Sequence, residues 1–182
     1  MSHPEQAETV SSSAQTGWAP ILKTQIVLAK DPGDVAAAWA IREVVFIEEQ
    51  AVPHDIERDD QDEIAIHVLA VQGGHAVGTG RLVVPQRPPE GASGKWGRIS
   101  RMAVLAAHRK AGVGRLILRA LEHEARAQGL GGLVLHAQVL SKGFYENEGH
   151  EPAEAIFEEA RMPHMKMSKH LAKAAGHSKG PR

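Results

Sequence analysis

The spacing of apolar positions changes repeatedly between residues 21 and 168, and each change marks an expected element. "TQIVLA" (24–29) is short, apolar and β-branched, which predicts a strand. In "DPGDVAAAWAIREVVFIEEQ" (31–50) apolar residues recur three or four apart, predicting a helix with Asp31 as N-cap and Pro32 at its first position. "EIAIHVLAVQGGHAVGTGRLVV" (63–84) predicts two strands joined by a tight turn at Gly73-Gly74. "PQRPPEGASGKWG" (85–97) reads as a surface loop. "RISRMAVL" (98–105) predicts a strand in which Ile99, Met102 and Val104 alternate only approximately. A helix is expected over 112–128, with Gly129 as its stop. "GLVLHAQV" (132–139) predicts a strand, "SKGFYENEG" (141–149) a short helix closed by Gly149, and "EAIFEEA" (154–160) with "HMKM" (164–167) a last strand pair. This order predicts a mixed sheet covered by helices, an α/β (α+β) fold.

The ends differ from the middle. Residues 1–20 are mostly polar and small, without period, and are expected to be a disordered tail. Residues 168–182 hold four cations and no acid, so the domain is expected to span 21–168 and a basic tail 169–182. A solvated tail and a nucleic-acid-binding arm both fit that composition. A chain of 182 residues with 42 % apolar residues suits one domain with an ordinary core. A formal charge of −1 argues against a nucleic-acid coat or a membrane-surface protein. No run of about 18 apolar residues predicts a membrane span, and the N-terminus lacks the features of a signal peptide. With no cysteine there is neither a disulfide nor a thiolate ligand or nucleophile. The expectation is a cytoplasmic protein that binds no nucleic acid, membrane or metal.

The candidate chemistry begins at "HRKAGVGRLIL". Glycine costs roughly 1 kcal/mol relative to alanine inside a helix, yet Gly112 and Gly114 stand where this helix should start. The first N–H groups of a helix have no internal partners and carry the positive end of its dipole. Glycine lets a ligand approach that backbone closely, and a phosphate suits it. Arg109, Lys110 and Arg115 add charge beside it. A flexible strand-to-helix turn with a solvated basic rim fits the glycine spacing equally well. The spacing does not match a P-loop or a dinucleotide-binding fingerprint.

Arg109-Lys110-Ala111-Gly112-Val113-Gly114 resembles the Gln/Arg-x-x-Gly-x-Gly/Ala signature of the GCN5-related N-acetyltransferases (GNAT). "RISRMAVL" is similar to the strand before that signature, and "LHAQVLSKGFYENEGH" to the strand and aromatic turn after it, with His150 where Phe is usual. "VFIEEQAVP", "DEIAIHVLA" and "FEEARMPHMKM" resemble the small bacterial subgroup named after ElaA and YjcF. The resemblance implies a mostly antiparallel central sheet flanked by helices. It implies acetyl-CoA as cosubstrate, with its diphosphate on the backbone of Arg109 to Arg115. The strand near Met102, Ala103 and Val104 would splay from the strand near Leu135 to Gln138, the pantetheine arm would lie between them, and the Val104 amide would face the thioester carbonyl. Tyr145 matches the family's proton donor to the departing thiolate.

The implied chemistry is acyl transfer to an amine of a small molecule or peptide. A lysine-like amine is neutral in only roughly one molecule in a few thousand at pH 7, so a proton must leave before attack. His136, on the strand facing the thioester, is the candidate base. Glu49, His67 and His164 are candidate acceptor contacts, although a lone strand histidine is often structural. Eight acids crowd residues 48–63 with only Arg58 among them. They fit a solvated face or an acidic wall drawing in a cationic amine. The alternative function is an acyl-CoA-binding sensor without turnover. The sequence is also compatible with a homodimer.

Overall fold

The computed structural model describes residues 23–171. Both expected tails lie largely outside them. Among the described residues, seven strands form one sheet in the order β1-β2-β3-β4-β5-β7-β6. The strands are β1 (Gln25–Ala29), β2 (Ile66–Gln72), β3 (His75–Gln86), β4 (Trp96–Val104), β5 (Gly132–Gln138), β6 (Glu151–Glu159) and β7 (Met162–His170). Every neighbouring pair is antiparallel except β4 with β5. β2 and β3 meet at Gly73 and Gly74, whose φ angles of 56° and 83° suit the expected tight turn.

Helix α1 (Pro32–Arg42) covers one face of the sheet. Asp31 caps it by accepting from the Asp34 N–H at 2.9 Å, and Pro32 opens it. The expected single helix over 31–50 instead loosens at Glu43 into a π-helical stretch, Glu43–Glu49. A further short helix, α2 (His54–Glu57), follows. The other face carries α3 (Val113–Ala127), which buries Val113, Ile117, Leu118, Leu121 and Ala125 as one stripe. Alternation along β2 separates the two cores: Val68 and Ala70 pack with α3, whereas Leu69 packs with Ala38, Ile41 and Val45 of the α1 segment. Gly112 caps α3 at φ 81°, so only Gly114 carries the helix-interior penalty of roughly 1 kcal/mol. Fully buried Ile117, Leu118 and Leu121 each contribute about 1.5–3 kcal/mol in return, and the stripe prevails. Helix α4 (Lys142–Asn147) carries Tyr145. β7 runs past Ser168, Lys169 pairs with Glu122, and Leu171 is buried, so the sheet reaches into the expected basic tail.

Two irregularities of β4 position the site. Its parallel pairing with β5 covers only Trp96 to Ile99, opposite Gly132 to Leu135; beyond those residues the strands separate. A β-bulge also interrupts its pairing with β3, where Gly80 stands opposite both Arg101 and Met102, and Arg101 adopts φ 54°. The extra residue explains why Ile99 and Met102, three apart, both pack toward α3. It also puts Arg101 beside Ser100 on the opposite face.

Candidate active site

Two clefts open beside the β4 bulge. They share Met102, Ala103, Val104, Arg109, Ser141 and Tyr145. The first, of about 240 Å³, lies over the β5–β7 face and is bounded by α2 and the π-helical stretch. The second reaches from Val104 across Lys110, Gly112, Gly114 and Arg115 at the start of α3 to Phe144.

The second cleft is made mainly of backbone. The first helical bond of α3 runs from the Leu116 N–H to Gly112 O at 3.1 Å, so the N–H groups of Val113, Gly114 and Arg115 precede it. Lys110 and Gly112 both have positive φ, 63° and 81°. Among the described residues, a Cβ on Gly112 would meet nothing within 4 Å, and one on Gly114 nothing nearer than 3.7 Å. The glycines therefore leave open space above the amides instead of relieving an internal clash. Ala111 lies in the same loop, exposed; the Val113 side chain is in the core. Arg115 is turned to Glu148 at 2.7 Å.

Val104 faces the gap between the strands. The Leu105 N–H bonds to Val77 O at 3.0 Å on the β3 side, and strand alternation turns the N–H and C=O of Val104 the other way. Arg109 Nε donates to Val104 O at 2.8 Å, and its Nη2 to Glu49 at 2.5 Å. Glu49, an expected acceptor contact, is thus the counter-ion of Arg109 at the junction of the clefts.

The first cleft contains a histidine–carboxylate pair. His136 Nδ1 lies 2.6 Å from Glu159 Oε2, and Phe157 packs edge-on against the ring. The hydrogen bond from His136 lowers the Glu159 carboxyl below its usual value and outweighs the opposing effect of burial. An ionised Glu159 can only accept, so Nδ1 of His136 carries a proton, and in the neutral form of the ring the lone pair is on Nε2. His164 lines the same cleft, its Nδ1 2.9 Å from Met162 O. Gln138 donates to Gln50 at 2.9 Å across the opening. Glu159 escaped the sequence reading: the strand pattern pairs it with Phe157 on one face but does not place that face against β5.

His67 is placed elsewhere. It is buried, with Nε2 donating to Asp62 O at 3.0 Å, and joins a charge network beneath the cleft. Fully buried Arg42 binds Glu57 and donates to both Asp62 oxygens at 2.7 and 3.0 Å. Buried Arg81 reaches Asp62 at 2.7 Å and Asp59 at 2.6 and 3.0 Å. Arg101, from the bulge, donates to Ile56 O and Glu57 O at 2.8 Å each and to Asp59 at 3.2 Å. The reading of residues 48–63 as an acidic wall needs correction: Glu57 and Asp62 turn inward to buried arginines, while Arg98, Arg101 and Arg109 line the first cleft.

Tyr145 stands where the clefts meet, and burial pushes its hydroxyl up to about 12. Its neighbour His150 is buried, with the rings edge-to-face at 5.9 Å, and its Nε2 lies 3.2 Å from Glu122. His in place of the usual Phe thus adds a polar tie to α3 and is more than a change of packing. Among the described residues, no group of three His, Asp or Glu side chains is arranged to hold a metal ion.

The acetyltransferase (GNAT) domain family matches residues 29–171. The uncharacterized N-acetyltransferase YjcF of Bacillus subtilis is 36 % identical over 144 residues, 79 % of this chain and 97 % of YjcF. The chain belongs to the GNAT acetyltransferase family. It is an acyl-CoA N-acyltransferase. The same fold recurs in an acyl-CoA N-acyltransferase from Pseudomonas aeruginosa, with a TM-score of 0.68 and 24 % identity over 81 % of this chain and 99 % of that one. It recurs in Escherichia coli ElaA, with a TM-score of 0.66 and 23 % identity over 82 % of this chain and 99 % of that one. The GNAT signature at Arg109–Gly114 coincides with the glycine-lined cleft, and the aromatic turn coincides with Tyr145.

Proposed function

We propose that the protein moves an acetyl group from acetyl-CoA to a primary amine by direct attack in a ternary complex. The observation that carries this reading is the meeting of two clefts at six common residues. One cleft is suited to the coenzyme and the other to the acceptor. The free amides of Val113, Gly114 and Arg115, with the space above Gly112, suit a diphosphate, and Lys110 and Arg109 add charge beside it. The unpaired edge of β4 up to Val104 suits an extended amide-bearing arm. Bound there, acetyl-CoA supplies the acyl group activated as a thioester. The Val104 N–H, directed into the gap, is suited to stabilise negative charge developing on the acyl oxygen.

The acceptor amine enters by the first cleft and must lose a proton to attack. His136 Nε2 accepts it, and Glu159 holds the ring in the required tautomer and compensates the imidazolium that forms. Tyr145 serves the departing sulfur. With the hydroxyl at about 12 and a reference thiol near 8.5, full transfer before ligands bind runs uphill by about 5 kcal/mol. Burial therefore widens the gap of roughly 2 kcal/mol that already opposes donation between the reference groups. It favours a neutral Tyr145 that donates a hydrogen bond to the sulfur as charge gathers there.

Tyr145→Phe is expected to slow thiol release by about 10²-fold while leaving acetyl-CoA affinity near wild type. A wild-type rate in that variant would return Tyr145 to a packing role. Titration calorimetry with acetyl-CoA, combined with thiol release across a panel of amines, tests the whole reading. Turnover with a mass increase of one acetyl group supports it; tight binding with no turnover on any amine would favour a sensor.

A further inference from the structure

The first cleft contains a guanidinium whose donors are poorly matched. Arg98 sits on β4 beside His136, with its side chain 26 % exposed. Its Nε is buried and has no hydrogen-bond partner among the described residues. Its Nη2 lies 3.4 Å from His136 Nδ1. That nitrogen carries the proton given to Glu159 at 2.6 Å, so two donors face each other and no hydrogen bond joins them. The remaining contact is Nη2 to Glu159 Oε1 at 3.8 Å, beyond hydrogen-bonding distance. A guanidinium can make five N–H donations in a planar fork. Its neighbours are served better: Arg101 has three acceptors, and Arg109 has Glu49 and Val104 O.

We propose that Arg98 binds a carboxylate of the acceptor, and that the substrate class is an amine bearing a carboxylate within a few bonds of its nitrogen, as in an amino acid. This rests on the acyl-transfer reading above. Arg98 Nη2 lies 3.4 Å from His136 Nδ1, and the base atom Nε2 is the other nitrogen of the same ring, so an acceptor held by both carries its anion within a few bonds of its amine. Charge balance points the same way. With His136 neutral, Arg98 and Glu159 cancel, and a zwitterionic acceptor adds no net charge. When the amine proton passes to His136, the imidazolium is matched by Glu159 and the guanidinium by the acceptor's carboxylate. A simple cationic amine would place a fourth positive group among Arg98, Arg101 and Arg109 with no acid left over. The acids near the cleft that a polyamine would need are engaged: Glu57 with Arg42, Asp59 with Arg81 and Arg101, Glu49 with Arg109.

The test uses the full chain loaded with acetyl-CoA, with the common α-amino acids, β-alanine and the matching carboxamides as probes. Thiol release and product mass report turnover; calorimetry with the CoA-loaded protein reports binding. For the best acceptor, the acid is expected to exceed its carboxamide in kcat/KM by roughly 10- to 100-fold, the worth of one charge-assisted contact. Arg98→Met is expected to collapse that acid-to-amide ratio toward one, and Arg98→Lys to keep part of it, with Tm checked for both. Carboxamides used as well as acids by the wild type, or an undiminished ratio in Arg98→Met, would overturn the proposal. Acids that neither bind nor react would overturn it too. Acids that bind through Arg98 without being acetylated would keep the site and remove the transfer reading.

Discussion

Gly112→Glu is expected to weaken acetyl-CoA binding by roughly 10³-fold while leaving the fold intact. Two effects combine. Gly112 sits at φ 81°, where a residue with a Cβ pays about 1–2 kcal/mol. A carboxylate beside a bound diphosphate adds like-charge repulsion of several kcal/mol, and each 1.4 kcal/mol corresponds to about a tenfold change. Gly112→Ala separates the two, because its Cβ meets nothing within 4 Å and brings strain alone. Alanine should therefore cost stability and little affinity, whereas glutamate should cost both. Equal affinities in the two variants, measured by calorimetry, would mean that no anion sits above this residue.

Asp62→Asn is expected to destabilise the protein by about 3–5 kcal/mol, the usual cost of removing one partner from a buried ion pair. In a chain of this size that lowers Tm by roughly 6–20 °C. Asp62 receives hydrogen bonds from both Arg42 and Arg81, which are at most 1 % exposed and cannot turn to water. Burial pushes its carboxyl up, but the two guanidinium groups outweigh that and hold it far below the usual range. The folded-state value is thus lower than the unfolded one near 3.9. The stabilisation is complete above the unfolded value and is lost as pH falls through the folded one. Glu122 behaves alike: burial opposes ionisation, but His150 and Lys169 bring it down to about 2. Wild-type stability should therefore fall steeply below about pH 4, and the Asp62→Asn slope should be shallower there. Denaturant midpoints at pH 7, 5 and 3 would show it; parallel curves for the two proteins would mean that Asp62 does not contribute this pH dependence.

The network also bears on the shape of the first cleft. Arg101 links it to the bulge that opens β4, and Ile56 and Glu57 line the first cleft. Loss of Asp62 should thus loosen the first cleft before the second.

Elements governed by local rules were legible in the sequence. The Asp31 cap, the Gly73-Gly74 turn and the amphipathic stripe of α3 depend on residues a few positions apart, and each formed where its pattern indicated. The signature glycines marked the loop that lines the second cleft because their backbone geometry is local as well. The β4 bulge left a trace in the three-residue step from Ile99 to Met102, yet the pattern alone does not distinguish a bulge from an imperfect strand. The helix expected over 31–50 ran on because apolar spacing persisted while the backbone changed to π-helical turns. Long-range pairing was hidden. The acids of 48–63 find Arg42 and Arg81 about 15 to 22 positions away, and Glu159 meets His136 across 23. No local pattern encodes those partners, so a segment that reads as an acidic surface folds inward and leaves arginines facing the cleft.

A crystal structure with acetyl-CoA tests the central claim most directly. The account predicts a diphosphate against the N–H groups of Val113 to Arg115 and the pantetheine arm along β4 as far as Val104. A coenzyme seated away from the start of α3, or lying outside the gap between β4 and β5, would contradict it.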